Sequence, residues 1–109
     1  MSVMRQGDVL LVPVKAVPGT ATKQRKTRRT VLAEGEATGH AHVIESPDVR
    51  LYEVIEEGDV AEMRQRFLEV EAEVALDHDE HATITVQPGL YEIRRQREYT
   101  PVEIRRVAD

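Results

Sequence analysis

Apolar residues in this chain come in short runs, and turn-forming residues interrupt them about every ten positions, a spacing that suits strands and leaves little room for long helices. The turn signal Gly7-Asp8 leads into Val9-Leu10-Leu11-Val12-Pro13-Val14, which reads as a largely buried first strand with Pro13 confined to an edge or end. Thr30-Val31-Leu32-Ala33-Glu34, His40-Ala41-His42-Val43-Ile44-Glu45 and Arg50-Leu51-Tyr52-Glu53-Val54 read as further strands. Residues 67–74 alternate apolar and acidic side chains, the period of a strand with one face in water. Ala82-Thr83-Ile84-Thr85-Val86 and Leu90-Tyr91-Glu92-Ile93-Arg94-Arg95, joined through Pro88-Gly89, predict an antiparallel hairpin.

Residues 59–66 fit a helical turn, and Thr100-Pro101-Val102-Glu103 sets an N-cap before proline with Glu at the third helical position. A short closing helix is expected over residues 101–107. The predicted class is therefore all-β: one small antiparallel β-barrel or sandwich domain over residues 1–109 with a short C-terminal helix. With one Phe, three Tyr and no Trp, the core must be built from Val, Leu and Ile. Such a thin core invites help from a metal or from assembly into a homo-oligomer.

The formal charge of -5 conceals an asymmetry. Residues 15–29 hold Lys15, Lys23, Arg25, Lys26, Arg28 and Arg29 without one acid, whereas residues 53–80 are acidic throughout and hold only Arg64 and Arg66 as cations. The two stretches are complementary and can attract each other or a like chain. The apolar pattern vanishes over residues 15–29, which reads as a long, mobile basic loop. Its charges suit protein docking or, less well, nucleic-acid phosphates, since no aromatic residue interleaves with them and the whole chain is acidic. The run Arg94-Arg95-Gln96-Arg97-Glu98-Tyr99 reads as a solvent-facing ribbon. No apolar run reaches the length that spans a bilayer, and the first eight residues lack the apolar region of a signal peptide, so no membrane partner and a cytoplasmic location are expected.

The chain has no cysteine, which excludes disulfides, thiolate metal sites and cysteine nucleophiles together. Its four histidines fall into two tight pairs, His40-Ala41-His42 and His78-Asp79-Glu80-His81. On a strand His40 and His42 project from one face, and a bent backbone at the second pair would let His78 and His81 converge. Imidazole suits Zn, Cu, Fe or Ni, and Glu45, Asp77, Asp79 and Glu80 stand close by as ligands or as acceptors that orient the rings. Exposed loop histidines are the plain alternative. The expectation is a zinc site, or a site for another divalent transition metal, with His40, His42, His78 and His81 as ligands, completed within one chain or between chains.

Three histidines around zinc would leave a position for water, lower its pKa to about 7 and permit hydration or hydrolysis of a small-molecule substrate, as in a histidine-ligated carbonic anhydrase. Glu45 and Glu80 are the candidate catalytic residues, orienting or deprotonating that water. The alternative function is a non-enzymatic oligomeric interaction module that docks a partner through residues 15–29.

Gly39-His40-Ala41-His42 followed by Glu45 resembles the first metal motif of cupins. That resemblance implies a small β-barrel in which His40, His42, Glu45 and one of His78 or His81 bind a metal. Here Glu45 comes one residue early, the glycine spacing before the HxH differs, and the second motif has two histidines. In the order of its features the chain is also similar to the chaperonin-10 fold: an opening Gly-Asp strand, the loop at 15–29, Val31-Leu32-Ala33 and a closing Glu103-Ile104. The loop lacks the apolar tripeptide with which co-chaperonins dock, so the likeness implies a barrel and an oligomer rather than that partner. The run from Arg5-Gln6-Gly7-Asp8 through Thr38-Gly39-His40-Ala41-His42 to Tyr99-Thr100-Pro101 also resembles small uncharacterised bacterial and phage proteins, a likeness that implies no activity.

Overall fold

The computed structural model describes residues 2–34, 40–55 and 64–95, and these hold ten strands and no helix. The strands are β1 Met4–Gln6, β2 Val9–Val14, β3 Ala21–Lys23, β4 Thr30–Glu34, β5 Ala41–Ile44, β6 Val49–Val54, β7 Gln65–Val70, β8 Val74–Leu76, β9 Ile84–Val86 and β10 Gly89–Arg95. Every pairing is antiparallel. Six strands form one sheet in the order β1-β2-β10-β7-β6-β3, and the remaining strands form the pairs β4-β5 and β8-β9. Among the described residues the large sheet ends in β1 on one side and β3 on the other, so the all-β expectation holds and the closed barrel does not. The expected closing helix at 101–107 lies outside the described residues, as does the part of the expected helical turn 59–66 before Arg64; its end is not helical, since Gln65 and Arg66 open β7.

The hairpin of β1 and β2 turns on Gly7 and Asp8 alone, with Gln6 opposite Val9. Gly7 has φ +58° and, among the described residues, no non-glycine residue has positive φ, the signature of a type II′ turn with glycine at its first central position. Beyond it, β2 buries Val9 and Leu11. Pro13 lies past Leu11, where the β1 pairing ends, so its missing N–H costs no bond to β1.

The two small pairs form one layer. Val43 and Asp77 exchange both backbone hydrogen bonds, N–H to C=O at 2.9 and 2.8 Å, which links β5 to the end of β8 in an antiparallel bridge. This layer packs on the large sheet through Leu32, Ile44, Val74, Leu76 and Val86, which meet Leu11, Val49, Leu68, Val70 and Tyr91 in one apolar cluster. The alternating run 67–74 does not form one strand. It breaks at 71–73, where the Glu71 N–H donates to Asp48 O at 2.8 Å and the chain passes from the large sheet into β8. The inward alternation resumes after the break, with Val74 and Leu76 buried and Ala75 exposed between them.

Pro88-Gly89 likewise corrects the expected hairpin. β9 pairs with β8, whereas β10 pairs with β2 and β7, so the chain changes layers at this corner instead of folding back on itself. Tyr91, fully buried, holds the corner by donating its hydroxyl to Gln87 O at 2.7 Å, a way of meeting the hydrogen-bonding need of a buried phenol.

The basic stretch 15–29 contains β3, a correction to its reading as loop throughout. Ala21, Thr22 and Lys23 pair with Val54, Glu53 and Tyr52, Gln24 N–H donates to Leu51 O at 2.8 Å, and Lys26 forms an ion pair with Glu71. Backbone ladder bonds carry this docking, since Ala21-Thr22-Lys23 has little apolar area with which to hold a sheet edge, and the Lys26–Glu71 pair adds to it at the surface.

No helix among the described residues is long and apolar enough to cross a membrane. Truncation of the fully buried Leu68 to Ala is expected to cost about 2–5 kcal/mol, read as a lower urea midpoint, whereas Lys26→Ala is expected to cost under about 1 kcal/mol as an exposed pair.

Candidate functional site

Carrying the Val43–Asp77 register outward sets His42 opposite His78 and His40 opposite Glu80. The side chains follow. The rings of His42 and His78 lie 4.3 Å apart, and His40 Nδ1 meets Glu80 Oε1 at 2.9 Å. His40, one residue before β5, stands half-buried at the rim with Asp79 Oδ2 at 3.8 Å from its Nε2, while His42 is 3 % exposed. The two histidines of the first pair thus share a face but not an environment.

The turn between β8 and β9 returns the second pair. Thr83 Oγ1 donates to Asp77 Oδ1 at 2.8 Å across its base, and His78 Nδ1 accepts the Glu80 backbone N–H at 3.0 Å. The His81 ring lies 4.6 Å from that of His78 and 6.0 Å from that of His42, nearly parallel to the latter at 12°. All four imidazoles are in one group, as His40 and His78 are 5.8 Å apart edge to face.

Two residues that the sequence presented only as turn and strand complete the site. Gln6 is 3 % exposed and its Nε2 donates to Leu76 O at 2.7 Å and to Ala82 O at 3.0 Å. Two carbonyls on that side fix the amide, since the reversed orientation would set oxygen against oxygen. Gln6 Oε1 therefore faces His42 Nδ1 at 2.8 Å, and Nδ1 must carry the proton it shares. In the neutral ring Nε2 is then left with its lone pair, 3.3 Å from Asp8 Oδ1. The other Asp8 oxygen accepts from Arg95 Nε at 2.7 Å, and Arg95 Nη2 donates to Glu34 O at 2.6 Å. Arg94 and Arg95 are exposed, as a solvent-facing ribbon requires, and the Arg95 guanidinium also joins this network.

Electrostatics sharpen the picture. Burial, followed by the neighbouring His78, holds His42 below the ordinary imidazole range despite Asp8 beside it. Asp8 is also held below its ordinary value: burial opposes ionisation, but the hydrogen bond and charge of Arg95 outweigh it. The neutral form of His42 and the ionised form of Asp8 are therefore favoured together, a lone pair facing a carboxylate.

Of the candidate ligands, His40, His42, His78 and His81 are brought together. Among the described residues no three His, Asp or Glu side chains already meet around a common metal position. Of the candidate catalytic residues, Glu80 is at the rim against His40. Glu45 is exposed just past β5, three positions beyond His42 and hence on the opposite face of an extended chain. Asp8 and Gln6 were hidden because each comes from a hairpin some 35 residues away from His42, and the only local signal, Gly7-Asp8, announces a turn.

A family model described as Domain of unknown function (DUF8820) matches residues 5–96. The chain belongs to that family. The matched span of the DUF8820 domain includes every residue of the site just described, from Gln6 to Arg95. No curated protein and no solved structure matches the chain.

Gly7 is the tightest point of the site. A Cβ built there would lie 2.5 Å from His81 Nε2 and 2.9 Å from Cδ2. Gly7→Ala is expected to cost about 1–2 kcal/mol through its left-handed φ alone and to displace His81, visible as a shift of the His81 ring resonances.

A pH effect follows in the metal-free protein. Since His42 binds its proton more weakly folded than unfolded, its contribution is fully present above about pH 6.5 and is lost as pH falls through the lower folded value. The urea midpoint is expected to drop between pH 7.5 and 5.5, and His42→Gln is expected to remove most of that drop.

Proposed function

We propose that this protein binds a transition metal, zinc in the first place, through the histidines gathered from β5 and the β8–β9 turn. The observation that carries the reading is the Gln6–His42 hydrogen bond. A ligating imidazole characteristically donates its second ring nitrogen to a fixed acceptor, which selects the tautomer and aims the coordinating nitrogen. His42 has that arrangement, with Nδ1 bound by a doubly anchored amide and Nε2 facing Asp8 Oδ1 beside the cluster.

The donor set suits the group. Imidazole with carboxylate and no thiolate is the chemistry of zinc and other divalent first-row metals. His78 enters the set by moving its neutral-ring proton from Nε2 to Nδ1, which releases the Glu80 N–H, a small change in an exposed turn. His81 needs only to rotate over Gly7.

Zinc bound by three imidazoles would supply Lewis acidity for hydration or hydrolysis of a small-molecule substrate. For that extension Glu80, hydrogen-bonded to His40 at the rim, is better placed than Glu45 to hold or move a proton. The likeness to cupins supports the kind of ligand in His40 and His42, whereas Glu45 has less support as one. A homo-oligomer belongs to the same reading, with histidines of two copies completing one shell as its variant.

The interaction module docking through residues 15–29, and nucleic-acid binding there, have less support. Lys26 is paired with Glu71, and Ala21–Lys23 is already a sheet edge, so part of the basic stretch is engaged within the chain.

Elemental analysis of untagged protein is expected to give about one metal per chain, lost in His42→Ala and in His78→Ala with the β-sheet circular dichroism retained; native mass gives the number of copies. Metal-free wild type that takes up no zinc would sink the reading.

A further inference from the structure

His42 Nε2 faces Asp8 Oδ1 at a separation longer than a strong charge-assisted hydrogen bond. A charge-assisted N–H to carboxylate bond has a length of about 2.7–2.9 Å, and the Arg95–Asp8 bond has such a length at 2.7 Å. The His42 contact is 3.3 Å. Two donors each about 2.0–2.2 Å from a tetrahedral zinc ion lie about 3.3–3.6 Å apart, and the 3.3 Å span matches that edge.

We propose that Asp8 is a ligand of the metal, sharing it through Oδ1 with His42 Nε2, and that Gln6 is the residue that positions His42 for it. This rests on the metal-binding reading above and extends it to residues outside the histidine pairs. Three features support it independently of the span. The Gln6 amide is locked by Leu76 O and Ala82 O, so the proton of neutral His42 is on Nδ1 and two lone pairs face each other across the seam. A cation between them removes that repulsion. Arg95 occupies Oδ2 and is itself anchored to Glu34 O, so a single Asp8 oxygen is available and Asp8 binds through one oxygen. Asp8 and the glycine under His81 are consecutive residues of one type II′ turn, which therefore delivers the carboxylate and the space for the second imidazole at once.

The resulting set is one carboxylate with His42 and His81, joined by His78 when it gives up the Glu80 N–H. Such a nitrogen and oxygen set takes divalent zinc, cobalt, nickel or iron and disfavours monovalent copper, which prefers sulfur. The divalent charge also offsets the partly buried Asp8 carboxylate.

The experiment uses full-length protein stripped with a chelator and titrated with Co2+ alone, followed by the visible absorption of the ion, then with Zn2+ by calorimetry. Asp8→Asn is expected to weaken binding at least tenfold and to alter the cobalt spectrum. Gln6→Leu is expected to weaken it about 10–100-fold while leaving the spectrum of the saturated protein unchanged. Because either variant can lose its fold, wild-type protein carrying 15N and 13C is also observed with and without Zn2+. The His42 Nε2 resonance is expected to move to a metal-bound position with Nδ1 still protonated, and the Asp8 carboxyl carbon to shift with it. Tight cobalt binding with an unchanged spectrum in Asp8→Asn, coordination through His42 Nδ1, or an unmoved Asp8 carbon each overturn Asp8 and Gln6 in these roles while the histidine site stands. Failure of the wild type to bind either ion overturns the histidine site as well.

Discussion

The reciprocal hydrogen bonds between Val43 and Asp77 tie the molecule together. Without them β4-β5 and β8-β9 are separate two-stranded ribbons, each too small to be stable alone. With them the ribbons become a continuous layer whose apolar side closes the core over Leu11, Leu68 and Tyr91. The same bridge sets the register by which His42 faces His78 and His40 faces Glu80. Core closure and histidine gathering are thus consequences of one backbone contact.

Gln6 is the point where packing and chemistry meet. A buried amide must satisfy two donors and an acceptor or pay a desolvation penalty of about 1–3 kcal/mol per unmet group. Its donors go to carbonyls of β8 and of the turn preceding β9, and its acceptor goes to His42, so the residue pins the β1–β2 hairpin to the second layer while selecting the histidine tautomer. Asp8 repeats the pattern one turn later, between His42 and Arg95. Strands from the beginning and the end of the described chain thereby converge on the histidine of β5. The order Gln6, His42, Asp8, Arg95 forms a polar line from a buried amide to an exposed guanidinium.

Most strands were legible because their side chains alternate or cluster locally: Val9–Val14, Thr30–Glu34, Val49–Val54 and Gly89–Arg95 all fall where apolar runs announced them. The errors share one cause. The run 67–74 and the sequence around Pro88-Gly89 each have the local pattern of a continuous strand or a hairpin, and in each the chain instead changes layers. Local alternation reports which way a side chain faces, not which neighbour a strand pairs with. β3 was missed for the complementary reason. Ala21–Lys23 has no apolar pattern and is held by backbone pairing to the edge of β6, with the Lys26–Glu71 pair beside it, and neither contact leaves a periodicity to read.

The sequence by itself determined the antiparallel all-β class, the presence of a turn at Gly7-Asp8, the absence of thiolate ligands and the pairing of the histidines, because each is a matter of residue type and short spacing. Only the tertiary structure decided that β10 lies between β2 and β7, that both histidine pairs belong to one group, and that Gln6, Asp8 and Arg95 surround it. Those relations join residues 19 to 87 positions apart. They depend on which strands close the core together, and no short-range pattern carries that information.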